Sequence, residues 1–70
     1  MPTMDAVKIG GRLKDLRERN LLTQAELGAA AGVSRDQVSR IERDEVEPRF
    51  RTIRKLAKAL DVDPSELTRN

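Results

Sequence analysis

The sequence predicts an all-α fold, a compact bundle of five short helices, from three observations. Apolar residues recur at helical spacing, as Ile9, Leu13 and Leu16 near the start and as Ile53, Leu56, Ala57 and Leu60 near the end. Thr23, Ser34 and Asp63 each stand just before such a stretch, where their side-chain oxygens can accept from the free N–H groups of a first helical turn. Gly32, Pro48 and Pro64 punctuate the chain between the stretches, at places where a helix must stop or start.

Residues 1–6 have no periodicity and read as a loose N-terminal arm. From about Val7 the i, i+4, i+7 pattern of Ile9, Leu13 and Leu16 predicts a first helix reaching about Arg19. Gly10 and Gly11 would each cost that helix up to about 1 kcal/mol relative to alanine. Either the helix starts only after them or a close neighbour needs the room.

The chain is organised around residues 24–43. A helix is expected from Gln24 to Ala31, capped by Thr23, and a second from Arg35 to Arg43, capped by Ser34; Thr23 with Glu26 and Ser34 with Gln37 both fit a capping box. Only Gly32 and Val33 separate Ala31 from the second cap, so the chain must turn at once. Gly32 can take positive φ without steric cost, which fits a tight helix-turn-helix in which one helix braces the next. Leu27, Ala31, Val33, Val38 and Ile41 supply the edge where the two pack. The opposite face of the second helix carries Arg35, Asp36, Ser39 and Arg40, which share one side at about 3.6 residues per turn.

Three stretches carry a resemblance to a known family: Leu22-Thr23-Gln24-Ala25-Glu26-Leu27, then Ala31-Gly32-Val33-Ser34, then Val38-Ser39-Arg40-Ile41-Glu42-Arg43. They resemble the DNA-binding domain of Cro/repressor-like (XRE-type) helix-turn-helix regulators. The likeness continues through Pro48 and Leu56-Ala57-Lys58-Ala59-Leu60, covering about residues 8–67. It implies a lambda-repressor-like domain over residues 7–67, with a C-terminal tail at 68–70. It also implies close packing at the first helix's glycines, and an ion pair between Arg17 and Glu42 tying the first helix to the end of the second helix of the motif. Two departures stand out. Leu21 occupies a place where relatives usually carry glycine, so either Asn20 takes a left-handed cap one residue early or Leu21 sits strained. Leu22, next to it, is expected to be buried.

The second departure is Asp44-Glu45-Val46-Glu47-Pro48, which reads as a loop because Pro48 disfavours helix before it and the acids repel one another. Several relatives use this loop to touch phosphate, so these acids should face away from DNA or weaken binding. A fourth helix is expected from about Arg49 to Leu60, with Phe50, Ile53, Leu56, Ala57 and Leu60 on its apolar face. Phe50, the single aromatic residue, is expected in the core. Asp63, Pro64 and Glu66 then read as cap, first helical position and capping-box partner of a fifth helix, with Val62 and Leu67 either closing the core or meeting a second copy.

Composition narrows the function. Seventy residues give one small domain with no room for an enclosed substrate pocket, and with neither cysteine nor histidine a disulfide framework or Cys/His zinc site is excluded. The acidic residues fall at caps and loops and no glycine loop follows a strand, so an enzyme is not expected, nor a cofactor, a metal or a small-molecule substrate. No apolar run approaches the roughly 20 residues of a membrane span and the N-terminus lacks a signal-peptide pattern, so a cytoplasmic protein is expected, nucleoid-associated when bound to DNA. Net charge is only +2, yet residues 49–58 hold five cations and no acid while residues 42–47 hold four acids and one arginine. Such segregation points to a polyanion contact or to separate solvated faces.

Under the resemblance, the second helix of the motif enters the major groove of double-stranded DNA. Arg35 and Arg40 carry forks that match guanine O6 and N7. Asp36 either accepts from a base amino group or serves the helix dipole, and Ser39 meets a thymine methyl or a phosphate. Thr23 and Gln24, at the N-terminal end of their helix, are expected on phosphate, with Gln37, Arg43, Arg49 and Arg51 as further candidates. A weak homodimer through the region Leu60 to Leu67, reading a palindromic operator, would supply the specificity one helix lacks. The competing reading is a protein-interaction or antitoxin-like module that keeps the fold without touching DNA.

Overall fold

A computed structural model describes residues 8–68. Five helices follow one another: α1 (Gly10–Arg19), α2 (Gln24–Ala31), α3 (Arg35–Glu42), α4 (Phe50–Ala59) and α5 (Ser65–Thr68), with no strand among the described residues. The expected arm at residues 1–6, Val7 and the tail residues 69 and 70 lie outside the described residues. Thr68, expected in the tail, ends α5.

The core takes one fully buried side chain from each helix, Leu13, Leu27, Val38, Leu56 and Leu67, joined by Ile9 and Ile41. Burying a side chain of this size contributes about 1.5–3 kcal/mol. α2 packs against α3 and α4, α1 packs against α3, and α5 closes the bundle against α1 and α4. Arg12 fastens that closure: its Nε donates to the Glu66 carbonyl oxygen at 2.6 Å and its Nη2 lies 3.5 Å from the Glu66 carboxylate.

α1 starts at Gly10, later than Val7, and runs through both glycines. Their roles differ. A Cβ on Gly10 would lie 2.5 Å from the Glu42 carbonyl oxygen and 2.7 Å from that of Ile41, whereas one on Gly11 would meet nothing. Gly10 is therefore the point where the carbonyl end of α3 butts against the start of α1. Ile9, the residue preceding the helix, gives it no side-chain cap. The cap comes from Asp44 instead, whose Oδ1 accepts from the Gly10 N–H at 3.1 Å.

Three helices end on a left-handed residue that is not glycine: Leu21 after α1 (φ 58°), Asp44 after α3 (φ 57°) and Asp61 after α4 (φ 58°). Each end has the same paired bonds. After α1, the Leu21 N–H donates to Glu18 and the Leu22 N–H to Arg17. After α3 they run from Asp44 to Ile41 and from Glu45 to Arg40, and after α4 from Asp61 to Lys58 and from Val62 to Ala57. This is the double closure that normally recruits glycine. Asn20 stays right-handed at φ −89° and bonds the Leu16 carbonyl through its side chain. Of the two possibilities raised by the sequence, Leu21 is thus the strained residue, and it is 89% exposed. Leu22 is half-buried against the core rather than buried.

One further expectation needs correction. Phe50 is 65% exposed, because it is the first residue of α4 and overhangs the end of the core that Ile53 enters one turn later; the Arg54 guanidinium covers its ring at 5.2 Å. In the C-terminal stretch the core alternative holds: Leu60 and Leu67 are buried in the core and half-buried Val62 packs against it, with Pro64 half-buried beside it.

Candidate nucleic-acid interface

α3 is held from inside and open outside. Val38 and Ile41 are 0% and 1% exposed, while Arg35, Asp36 and Arg40 are exposed and Gln37 and Ser39 are half-buried. Ser34 starts the helix by accepting from the Gln37 N–H at 3.0 Å, the forward half of the expected box. Arg43, expected as its last residue, is instead its C-cap.

The turn before α3 is as tight as the two intervening residues require. Gly32 takes φ 76° with open space where a Cβ would sit, so conformation rather than room demands glycine there. Gly28 is the reverse case: a Cβ would stand 2.7 Å from the Val33 carbonyl oxygen, so α2 and the turn approach too closely for any side chain. The Gly32 and Val33 N–H groups both donate to the Gly28 carbonyl oxygen.

Behind this surface lies a polar network. Arg17 Nε donates to Glu42 Oε2 at 2.6 Å and Nη2 to Oε1 at 3.1 Å, while Nη1 reaches the Leu22 carbonyl at 2.8 Å. Gln24 Nε2 adds a bond to Glu42 Oε1 at 3.0 Å. The Glu42 hydrogen bond raises the Arg17 pKa above its ordinary value, against the opposing effect of burial. One guanidinium and one carboxylate therefore connect α1, the connector to α2, α2 itself and the last residue of α3.

The phosphate candidates are differently disposed. Thr23 and Glu26 complete a reciprocal box, Thr23 Oγ1 accepting from the Glu26 N–H at 3.0 Å and the Thr23 N–H donating to Glu26 Oε1 at 2.8 Å. With the Gln24 amide nitrogen engaged by Glu42, the donors left at this helix end are the first-turn N–H groups of Gln24 and Ala25, which helix geometry cannot pair. Arg43 is exposed and pairs with Glu45 at 3.3 Å. Arg49 and Arg51 are exposed on either side of Phe50, with Arg49 as the N-cap of α4.

An open groove of about 300 Å³ runs between α3 and the start of α4, lined by Asp36, Gln37 and Arg40 on one side and by Val46, Glu47, Pro48, Arg49 and Thr52 on the other. It brings together Asp36, Arg40, Gln37 and Arg49 from the expected set; Arg35, Ser39, Thr23, Gln24, Arg43 and Arg51 lie off it. Within the face, Asp36 and Arg40 pair at 2.8 Å across one helical turn. Sequence reasoning missed Val46 and Thr52 as groove residues and Asp44 as the cap of α1. For Asp44 a signal existed: no Ser, Thr, Asp or Asn directly precedes Gly10, so the cap had to come from elsewhere.

No helix of the described residues is long and apolar enough to cross a membrane. A model of the Helix-turn-helix family (HTH_3) matches residues 13–67. The chain is 36% identical over 59 residues to the immunity repressor protein of Bacillus phage phi105, a match covering 84% of this chain and 41% of that protein, so it spans less than half of that relative's length. Among solved structures it resembles the restriction-modification controller protein C.AhdI from Aeromonas hydrophila, with a TM-score of 0.84, 41% identity and coverage of 87% of this chain and 92% of that one. It also resembles the c2 repressor of Salmonella phage P22 in complex with a synthetic operator, with a TM-score of 0.81, 36% identity and coverage of 87% and 92%.

Proposed function

The chain belongs to the Helix-turn-helix family, and from that premise we propose that it is a sequence-specific transcriptional regulator that binds double-stranded DNA by placing α3 in the major groove. The observation that carries this reading is the division of α3 into a face locked by Val38, Ile41 and Glu42 and a face where Arg35, Asp36 and Arg40 are exposed. A helix inserted into a groove needs both: a fixed angle behind and free polar groups in front. The solved P22 c2 repressor, of the same fold, is in complex with an operator, which supports the assignment.

Arg35 and Arg40 read guanine, with Ser39 beside them on the inner margin of the face. The first-turn N–H groups of α2, flanked by Thr23 and Gln24, meet phosphate together with Gln37, Arg43, Arg49 and Arg51. Glu45 is offset by Arg43, which lowers the repulsion this loop would present to a polyanion. Two copies bind a palindromic operator with half-sites about 34–36 Å apart. They associate weakly through the outer surface of the Leu60 to Leu67 stretch, where Val62 and Pro64 remain accessible. The protein works in the cytoplasm, associated with the nucleoid when bound.

A gel-shift titration against random duplexes at low and high salt tests this. Retardation that weakens steeply with salt is expected, because displaced counterions carry the non-specific binding. Absence of retardation at either salt would favour the protein-interaction or antitoxin-like reading.

A further inference from the structure

We infer that Asp36 is a positioning residue for Arg40: it holds the Arg40 guanidinium so that one edge of it alone is offered to a base pair. The inference rests on the DNA-binding reading above and goes beyond it by assigning a specificity role to a residue that does not itself read a base. The observation is the contact of Asp36 Oδ2 with Arg40 Nε at 2.8 Å, one turn apart on the exposed face of α3.

The identity of the nitrogen matters. A guanidinium can present two adjacent N–H groups to a pair of acceptors along its side, through Nε and one Nη, or along its end, through both Nη atoms. Engaging Nε closes the side and leaves the end. The end-on fork matches O6 and N7 of guanine, so Arg40 enters the groove committed to one approach. Asp36 commits Oδ2 to this contact.

This pair adds little to the fold. Its side chains are 54% and 69% exposed, and an exposed ion pair of this kind contributes little in water. Its value arises where the groove excludes water and the attraction strengthens, and where a side chain already held loses less freedom on binding. A competitor stands close by, since Glu47 lines the same groove as Arg40. Without Asp36, Arg40 is free to turn toward Glu47 and away from the bases.

The test starts from duplexes selected from a random pool by the full chain, then compares the chain with Asp36→Ala, Asp36→Asn, Arg40→Ala and the Asp36→Ala/Arg40→Ala double variant on the selected site and its single-base variants. Thermal melts of the single variants are expected within a few degrees of the parent, both positions being exposed. Asp36→Ala should tighten binding to unrelated duplexes, because a negative charge facing a polyanion is removed, yet lose about tenfold discrimination at one base pair. Arg40→Ala should lose discrimination at that same base pair, the double variant should lose no more, and Asp36→Asn, which keeps the acceptor, should retain most of it. Losses at different base pairs, additive losses, or unchanged discrimination in Asp36→Ala would overturn the positioning role while leaving DNA binding intact. Failure of the parent chain to select any duplex would overturn both.

Discussion

Arg17 and Glu42 meet through two parallel contacts, at 2.6 and 3.1 Å, with side-chain exposures of 11% and 3%. Twenty-five residues apart in sequence, they join the last turn of α1 to the last residue of α3. Removing one member leaves a nearly buried charge uncompensated, which typically costs about 3–5 kcal/mol. Arg19, two residues on, pairs with Asp15 where both are more than half exposed, and such a pair is worth at most about 1 kcal/mol. Arg17→Met should therefore melt far below Arg19→Met by circular dichroism, and equal melting temperatures would refute a structural role for the pair.

The two adjacent glycines of α1 should respond in opposite directions to alanine. At Gly10 the new Cβ collides with two backbone carbonyls that cannot turn aside, and overpacking of this kind costs about 1–3 kcal/mol. At Gly11 the space is open, and alanine should gain up to about 1 kcal/mol from helix propensity. Urea denaturation of the two variants separates the cases, and similar midpoints would contradict the packing of α3 on α1.

Leu21→Gly should stabilise the protein by about 1 kcal/mol, since leucine pays for its left-handed backbone and, being exposed, returns little burial. For a domain of this size that is roughly 4–8 °C in Tm. Asp44→Gly should gain less, because relief of the same backbone strain is offset by loss of the Gly10 cap. The Gly10 amide should then exchange faster with solvent in Asp44→Gly than in Asp44→Asn, and equal exchange rates would remove Asp44 as its cap.

The Asp63 carboxyl is held below the usual carboxylate range, first by the Ser65 N–H and then by the Ser65 hydroxyl. A depressed folded-state pKa means that its contribution is present above the unfolded pKa and lost as pH falls through the folded one. The start of α5 should therefore loosen only below about pH 4. Following the Ser65 amide by NMR through an acid titration checks this, and Asp63→Asn should flatten the response.

Arg51→Ala should weaken binding on every duplex and reduce the salt slope by about one, as expected for a lost phosphate contact. Arg35→Ala should change preference at one base pair, by about 1–3 kcal/mol. Anisotropy titrations over a salt series distinguish them, and matching profiles would erase the separation of phosphate from base contacts.

Much of the fold could be read from local signals. Thr23, Ser34 and Gly32 locate α2, the turn and the start of α3 because capping and positive φ act within a few residues. What escaped depends on contacts distant in sequence or on where a stripe ends. Phe50 fits the apolar spacing of α4, but periodicity assigns a face and says nothing of how far along the helix the core extends. Asp44 looks like one more loop acid until α1 is placed beside it, 34 residues away. The Gln24 amide reads as a free donor because Glu42, its partner, is 18 residues on. The exposed face of α3 was legible as a set of residues, while the pairing of Asp36 with Arg40 within it required atoms.

Val38, Ile41 and Glu42, with the Ser34 cap and the contact of the helix's carbonyl end with Gly10, fasten α3, and the exposed positions 35, 36 and 40 take no part in it. Substitutions at those three outward positions should consequently re-dress the face of α3 while leaving the melting temperature of the domain nearly unchanged.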